Sequence, residues 1–251
     1  MGGPRVSVVI PAYNEEAVIG PCVRSVADQT LPRSDYEVLL VDGRSRDRTV
    51  EIARPHVDRV VYDEGLGYTR AKNQGAREAR APIVAFTDAD TVVPRRWLEA
   101  HLARFRDPRV VAAGGPTYTL ENEPLRYAAW FNALSTFNNI LGYVGLTHLP
   151  SPNCAYRKEA LLRAGGFPDF LLTDDFSLSR SIRRFGKVRY DPTLPTYTSL
   201  RRLRAMGIRW TYGKWVLGAL GILVRGRPFT RTYVRLTDLP SEGVQGDPRT
   251  S

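Results

Sequence analysis

The chain has 251 residues, of which 43% are hydrophobic and 25% charged, and its formal net charge is +10. A chain of this size can bury the core of one α/β domain, alone or with an appendage, which excludes a small fold that depends on disulfides. The two cysteines, Cys22 and Cys154, lack the spacing of metal ligands or of a disulfide framework, and we interpret both as packed thiols.

The start of the chain, Met1 to Arg5, runs directly into an apolar segment and lacks the layout of a signal peptide. The sequence also contains no Asn-x-Ser/Thr site for glycosylation. We therefore expect a cytoplasmic protein.

The first two-thirds of the chain alternate short apolar runs with helical patterns. Strands are predicted over 6–10, 37–41, 59–62, 83–87 and 109–113, and helices over 15–29, 47–53, 68–80 and 95–106. This order predicts a mostly parallel sheet with helices on both faces. Ligands of such sheets bind at the carboxyl ends of the strands, where the sequence has four polar residues: Asn14, Asp42, Asp88 and Asp90.

The segment after Pro116 has a different pattern. Residues 127–149 are rich in aromatic side chains and carry no charge other than that of His148. Amides such as Asn138 are costly in lipid, so we favour a helix that covers the active site over a membrane span. A further helix is predicted over 174–185 and an edge strand over 188–190.

The C-terminal part of the chain carries much of the positive charge. Nine basic and no acidic residues lie between Arg201 and Arg235. This run indicates an anionic partner (a membrane surface, a phosphate-bearing substrate or nucleic acid) or a solvated basic face. The apolar segment 215–224 is too short to span a bilayer and suits either a helix in the membrane interface or a helix packed on the core. We expect a core domain over 1–196, a basic, aromatic helical appendage over 197–240 and a disordered tail over 241–251.

Two carboxylates follow the strand predicted over 83–87, in the sequence Asp88-Ala89-Asp90. Residues two apart in an extended chain point to the same side, so Asp88 and Asp90 repel each other unless something binds them. A hard divalent cation, Mg²⁺ or Mn²⁺, takes one or two carboxylates and completes its coordination with phosphate oxygens and water. The alternative is a solvated turn or a helix cap.

A second acidic pair, Asp174 and Asp175, opens the helix predicted over 174–185. One of these carboxylates can act as a general base for an attacking hydroxyl, or both can complement the helix dipole. The turn from Pro11 to Glu15 follows the first strand, and Asp42 ends the second. Their backbone amides, aromatic ring and carboxylate can hold a nucleobase.

Taken together, these segments resemble the family 2 glycosyltransferases of the GT-A fold. The likeness covers about residues 5–191 and rests on six motifs in order: Val6–Glu16, Val41–Thr49, Ala71–Gly75, Asp88–Asp90, Asn153–Arg157 with Gly165–Phe167, and Thr173–Asp175. It implies an α/β GT-A catalytic domain over 1–196, with a mostly parallel central sheet and flanking helices, followed by the basic helical appendage. It also implies an inverting transfer from a nucleotide-diphosphate sugar to an acceptor hydroxyl, with Mn²⁺ or Mg²⁺ as cofactor.

The resemblance further implies roles for the matching residues. The nucleoside would be held by Pro11, Tyr13, Glu15 and Asp42. Asp88 would face the ribose or base side, Asp90 would bind the metal with Asp88 beside it, and Lys72 would reach a phosphate. Asp175 would be the base with Asp174 assisting it, and Asn153 would belong to the acceptor side.

The chain departs from the family pattern at three places. Gly43 stands where the family has a second Asp, and Asp174 replaces a Glu. Met206 replaces the Gln of the Gln-x-x-Arg-Trp motif of processive members, whereas Arg209 and Trp210 are kept and are expected on the acceptor or phosphate side. We therefore favour transfer of a single sugar in glycan or cell-envelope biosynthesis. The basic segment suggests a lipid-linked acceptor and a peripheral position on the cytoplasmic face of a membrane.

Two other classes of protein are kept as alternatives. A non-catalytic nucleotide-sugar-binding protein would not need the acids Asp88, Asp90 and Asp175, which this chain retains. A metal-dependent nucleotidyltransferase normally has a glycine-rich loop with a basic residue after the first strand, where this chain has Pro11–Asn14. Nucleic acid is not expected as a partner.

Overall fold

A computed structural model describes residues 3–63, 67–120, 124–143, 148–169 and 173–229. The strands are β1 Val6–Ala12, β2 Tyr36–Asp42, β3 Arg59–Tyr62, β4 Ile83–Phe86, β5 Thr91–Val92, β6 Val110–Gly114, β7 Thr117–Thr119, β8 Cys154–Arg157, β9 Lys187–Tyr190 and β10 Thr196–Thr198. The helices are α1 Ile19–Ala27, α2 Thr49–Ala53, α3 Tyr68–Glu78, α4 Trp97–Arg104, α5 Leu125–Tyr143, α6 Lys158–Arg163, α7 Asp174–Ser181, α8 Arg201–Met206 and α9 Ile208–Arg225.

Seven strands form the central sheet in the order β3-β2-β1-β4-β8-β6-β9. Strands β3, β2, β1 and β4 are parallel to one another, whereas β8 runs antiparallel between β4 and β6. The prediction of a mostly parallel sheet is therefore confirmed, and β9 lies at an edge as expected. The sequence analysis did not identify β8 as a strand, because its four residues, Cys-Ala-Tyr-Arg, show no strong apolar period.

Helices cover both faces of the sheet, as the alternating pattern predicted. Successive residues of a strand point to opposite faces, so Val8 and Ile10 pack on one side and Val9 on the other. The first core includes α1 and α4 residues: Ile19, Cys22, Val23, Val26, Trp97 and Leu98. The second core includes residues of α3, α6 and α7: Ala71, Ala76, Leu161 and Leu178.

The loops after the parallel strands meet at one edge of the sheet. The register pairs Ala12 with Asp42 at the ends of β1 and β2, and Val9 with Phe86 of β4. After β1 the chain turns through Asn14, which has a positive φ of 53°. The Asn14 amide donates to Ser45 Oγ, and its side-chain oxygen accepts from the amide of Arg46. These bonds hold the first two loops together beside the cavity described below.

Helix α1 begins at Ile19, four residues later than predicted. Pro21 is its third residue, and a proline is tolerated in a first turn because the amide there has no intrahelical partner. An earlier start would put the ring in the helix interior, where it clashes with the carbonyl four residues before it.

A second, three-stranded sheet ties the C-terminal segment to the acidic loop after β4. Its order is β5-β10-β7, and the Thr91 hydroxyl donates to that of Thr198 at 3.1 Å. The boundary that the sequence suggested at residue 196 falls on the first residue of β10, so the first two residues of the expected appendage, Tyr197 and Thr198, belong to this sheet. The predicted tail over 241–251 lies outside the described residues.

Candidate active site

A cavity of about 620 Å³ opens at the carboxyl ends of β1, β2 and β4. The loops of the parallel strands form one half of its wall, which includes Pro11, Tyr13, Glu15, Gly43, Tyr68, Asp88 and Asp90. Helices α5, α8 and α9 form much of the other half. Part of the predicted helical cover over 127–149 is present as α5, whose Phe131, Leu134 and Phe137 face the cavity, while residues 144–147 lie outside the described residues.

The acidic pair after β4 lies in the polar half. The hydroxyl of Tyr68 donates to a carboxylate oxygen of Asp88 in a short contact. Asp90 accepts from Thr198 Oγ1 at 3.2 Å and from Arg201 Nε at 3.4 Å. Its carbonyl also accepts from the amide of Ser199 at 3.1 Å, so the chain after β10 is fixed over the acidic loop.

One guanidinium joins two acidic side chains that are far apart in sequence. Arg201, the first residue of α8, contacts Glu15 through Nη2 and Asp90 through Nε. The three side chains keep 22%, 11% and 12% of their surface exposed, and all three line the cavity. We call Glu15, Asp90 and Arg201 the donor cluster. The basic run that begins at Arg201 is visible in the sequence, but no local pattern there predicts a separate role for this residue.

The oxygen ligands at the cavity wall suit a hard divalent cation whose coordination shell is completed by a substrate. Across the described ranges, no group of three or more His, Cys, Asp or Glu side chains converges as a complete protein site. Mg²⁺ and related ions are commonly bound by one or two carboxylates, with phosphate oxygens and water completing the shell. Asp88 and Asp90 both line the cavity, and the 3.2 and 3.4 Å contacts of Asp90 are long enough to yield to a stronger ligand.

The second acidic pair lies directly behind the cavity wall. Asp175 Oδ2 is 3.9 Å from Nε2 of His148, which lines the cavity, and the next residue, Phe176, lines it as well. Among the described residues that form the wall, Asp174 and Asp175 themselves are not included. The side chain of Asp175 is 14% exposed, and its Oδ1 accepts from the amide of Phe176 at 2.7 Å.

Burial and, second to it, the neighbouring Asp174 carboxylate together raise the pKa of Asp175 to about 7, against the opposing effect of Lys72. A carboxyl that titrates near neutral pH suits a general base. Burial also lowers the pKa of His148 to about 4, so this imidazole is neutral at pH 7 and forms no ion pair with Asp175.

Lys72 differs from its expected role. Its side chain is fully buried, and its ammonium pairs with Asp174 and donates to Ser151 Oγ at 2.8 Å. It does not belong to the described wall of the cavity, so its placement does not support the predicted phosphate contact. We call Lys72, Asp174 and Asp175 the base cluster.

The residues predicted to hold the nucleoside divide into two groups. Pro11, Tyr13 and Glu15 line the cavity, as the prediction requires. Asp42 is fully buried, and its carboxylate accepts from the amide and the hydroxyl of Ser45 at 2.9 and 2.6 Å. Asp42 therefore shapes the second loop from behind.

Of the residues predicted for the acceptor side, Asn153 and Trp210 have described side chains, and these lie in different surroundings. Asn153 is fully buried and bonds only within the fold: it accepts from Trp97 Nε1 and donates to the carbonyls of Pro116 and Leu194. These bonds fit a structural role, and the acceptor-side assignment of Asn153 is withdrawn. Trp210 is 36% exposed, with Lys214 over its ring at 5.6 Å. The side chain of Arg209 lies outside the described residues.

An aromatic group that the sequence did not identify lies between the base cluster and the cavity. The rings of His148, Phe176 and Trp215 are 5.5 to 6.3 Å apart. Trp215 comes from α9, so the C-terminal helix borders the cavity next to Asp175. Around this group the wall is mostly apolar and includes Leu203, Met206, Tyr212 and Val216.

Comparisons with known proteins identify the family and the fold of this chain. The family model described as glycosyl transferase family 2 matches residues 7–164. Glycosyltransferase AglE of Haloferax volcanii is 39% identical over 118 residues, which are 45% of this chain and 39% of AglE. Mannosyltransferase PcManGT of Pyrobaculum calidifontis, solved with GDP-Man and Mn²⁺, superposes with a TM-score of 0.65 at 25% identity, covering 86% of this chain and 65% of that one. Staphylococcus aureus TarS, solved with UDP-GlcNAc, gives a TM-score of 0.62 at 20% identity over 78% of this chain and 59% of TarS.

The chain belongs to glycosyl transferase family 2, and its fold is the GT-A glycosyltransferase fold. It spans less than two thirds of the length of each of these three proteins.

Proposed function

We propose that this protein transfers a single sugar from a nucleotide-diphosphate sugar to an acceptor hydroxyl, with inversion at the anomeric carbon. One observation carries the proposal: a single cavity joins the carboxylates of Asp88 and Asp90 to the wall in front of Asp175. Family membership supports the reaction class, since the matched segment contains both the nucleotide loops and the acidic pair after β4.

The polar half of the cavity is proposed to bind the donor. Pro11 and Tyr13 would hold the nucleoside, with Asp88 on the ribose or base side. Asp90, together with Asp88, would hold Mn²⁺ or Mg²⁺ against the diphosphate, and the Mn²⁺ in the mannosyltransferase neighbour supports this assignment. When bound, the ion would stabilise the negative charge that develops on the leaving diphosphate.

Asp175 is proposed to accept the proton of the attacking hydroxyl. The acceptor oxygen would form its bond to the anomeric carbon as the bond to the diphosphate breaks on the opposite face, which inverts the configuration. The side chain of Asp175 is 14% exposed and lies behind His148 and Phe176, from where it would have to reach the acceptor hydroxyl. The aromatic rings of His148, Phe176 and Trp215 would keep water away from this carboxylate.

The apolar half of the cavity supports a lipid-linked acceptor. Phe137 of α5 and Val216 of α9 both line the cavity, yet they are 56% and 47% exposed. The apolar wall therefore continues onto the outer surface of the protein, where an acyl or isoprenoid chain can leave while its head group stays near Asp175.

A membrane surface is the proposed partner of the outer face of α9. Leu217, Leu220 and Leu223 are about half exposed on this face, and Arg225 and Arg227 follow them. Apolar side chains beside basic ones suit a helix that lies in the interface of an anionic bilayer. Among the described helices, we find none with the length and apolarity needed to cross a bilayer.

A second candidate, a nucleotide-sugar-binding protein without turnover, is favoured by one observation: Asp175 lies behind the cavity wall. Both candidates predict donor binding, and only the first predicts product.

A screen of nucleotide sugars, with and without Mn²⁺, tests the proposal. We expect one donor class to raise the melting temperature in a Mn²⁺-dependent way, because a ligand that binds only the folded state stabilises it. Slow hydrolysis of that same donor would report turnover. Asp90→Asn should abolish the Mn²⁺ dependence, and Asp28→Asn, at an exposed site paired with Arg95, is the matched control. Stabilisation without hydrolysis or transfer would favour the binding protein, and no stabilisation by any donor would refute both candidates.

A further inference from the structure

Lys72 is a fully buried cation that the proposed reaction does not use directly. Its ammonium pairs with Asp174, donates to Ser151 Oγ at 2.8 Å, and lies 4.4 and 3.8 Å from the ring centres of Tyr68 and Phe167. These four neighbours come from α3, α7 and the two segments that precede β8 and α7. The ammonium therefore joins elements that meet behind the cavity wall.

Burying a charge is costly unless the geometry repays the lost hydration. Here a carboxylate, a hydroxyl and two aromatic faces surround the ammonium, and each of them attracts its positive charge. The carboxylate partner, Asp174, is only 9% exposed and is the immediate neighbour of the proposed base. Burying the charge of Lys72 costs free energy, and its position beside Asp175 indicates a role that an apolar side chain could not perform.

We propose that Lys72 is a positioning residue, which holds Asp174 and the start of α7 in place and compensates their negative charge so that Asp175 can accept a proton near neutral pH. The inference rests on the proposed function, because it assigns Asp175 as the base. It differs from the role expected for Lys72 from the sequence, which was a direct contact with a phosphate.

Among the titratable groups around Asp175, Lys72 supplies the positive charge that compensates the carboxylates. Asp174 precedes it on α7, His148 faces it from the segment before β8, and the thiol of Cys154 and the hydroxyl of Tyr156 face it from β8. His148 is neutral at pH 7, and burial raises the pKa values of Cys154 and Tyr156, so both stay protonated. Of these groups and Lys72, only the ammonium is cationic.

A set of three variants tests the proposal: Lys72→Met, Asp174→Asn and the double variant. The carboxyl of Asp175 can be titrated directly by NMR in protein labelled with ¹³C-aspartate, with Asp175→Asn used to assign its signal. We expect Lys72→Met to raise the titration midpoint of Asp175 by about one unit or more, because an opposite charge nearby is lost. Asp174→Asn should lower the midpoint, and the double variant should return it towards the wild-type value.

The pH profile of kcat/KM gives the second measurement, since its acid limb reports the base in the free enzyme. In Lys72→Met the acid limb should move to higher pH by the same amount, with activity recovered as the pH rises. Arg70→Met is the matched control, because Arg70 lies on the same helix with an exposed side chain 3.7 Å from Asp169. It should leave both measurements unchanged.

Comparing Asp174→Asn with the double variant isolates Lys72 even if Lys72→Met alone does not fold. Equal midpoints in these two proteins, or a midpoint in Lys72→Met equal to that of the wild type, would overturn the proposal. A shifted midpoint in a protein that transfers no sugar would instead keep the role of Lys72 and remove the proposed function.

Discussion

Two groups of charged side chains lie at the cavity, one lining it and one behind its wall, and each contains two carboxylates and one cation. In the base cluster, Lys72 is fully buried and Asp174 and Asp175 are 9% and 14% exposed. In the donor cluster, Arg201 keeps 22% of its side chain exposed and all members line the cavity. The two clusters contain the same kinds of charged group but differ in their surroundings. Protein encloses the ammonium of Lys72, whereas the open cavity borders the guanidinium of Arg201.

This difference determines what each cation can do. A buried ion pair is hard to break, because the partner left behind keeps its charge in a medium of low polarity. A pair beside an open cavity can exchange its partner for water, a metal ion or a phosphate at little cost. The base cluster is therefore suited to fix a proton acceptor, and the donor cluster to release its carboxylates when a ligand arrives.

The largest expected effect is on the chemical step. Asp175→Asn removes the proposed proton acceptor and should lower kcat by about 10³-fold, within the range typical of general bases. The affinity for the donor, measured by calorimetry with Mn²⁺ present, should stay within about twofold of wild type because the donor cluster is intact. Unchanged kcat would remove Asp175 from the mechanism.

The next effect is on stability and compares the two cations directly. Lys72→Met leaves the carboxylate of Asp174 buried without its partner and should lower the free energy of unfolding by about 3–5 kcal/mol. Arg201→Met should cost about 1 kcal/mol or less, because water in the cavity can solvate Glu15 and Asp90. Urea unfolding at pH 7.5 measures both. Equal losses in the two variants would mean that the clusters do not differ as described.

A smaller effect is expected on metal binding without nucleotide. The guanidinium of Arg201 is 3.4 Å from Asp90 and competes with a divalent cation for that carboxylate. Removing one unit charge about 4 Å from a divalent ion is worth ~2 kcal/mol through water, so Arg201→Met should bind Mn²⁺ roughly thirtyfold more tightly. Electron paramagnetic resonance of free Mn²⁺ would follow the titration. Arg204→Met, three residues further along α8, is the comparison variant, and weaker binding in Arg201→Met would contradict the exchange of partners.

The sequence predicted the fold more fully than the site. The period of the apolar residues and the order of the segments along the chain identified the parallel strands and the helices that cover them, because each of these signals is local in the sequence. The nucleotide loop and the acidic pair were also found, since carboxyl ends of neighbouring strands must meet. Lys72 and Asn153 are buried and do not line the described cavity, which the sequence did not reveal because a motif gives the residue type and not the direction in which its side chain points.

Long-range pairs account for most of what the sequence did not identify. Arg201 meets Glu15 across 186 positions, and Ser151 meets Lys72 across 79. No local sequence pattern predicts either contact. The basic run after residue 200 indicated an anionic partner, and its first residue, Arg201, pairs with two carboxylates of the chain itself.

The smallest expected effect concerns the outer face of α9, beyond both clusters. Leu223 is 51% exposed, and transfer of this exposed apolar surface from water into lipid is worth about 1 kcal/mol. Leu223→Ser should therefore weaken partition into phosphatidylglycerol vesicles roughly fivefold. Leu162→Ser is the matched control, since Leu162 is 41% exposed on α6. Flotation measures the bound fraction of each protein. Because Leu223 touches neither cluster, its loss should leave kcat for donor hydrolysis unchanged. Equal flotation of wild type and Leu223→Ser would contradict the proposed contact of α9 with the membrane. It would also remove the support for a lipid chain that enters the cavity past Val216.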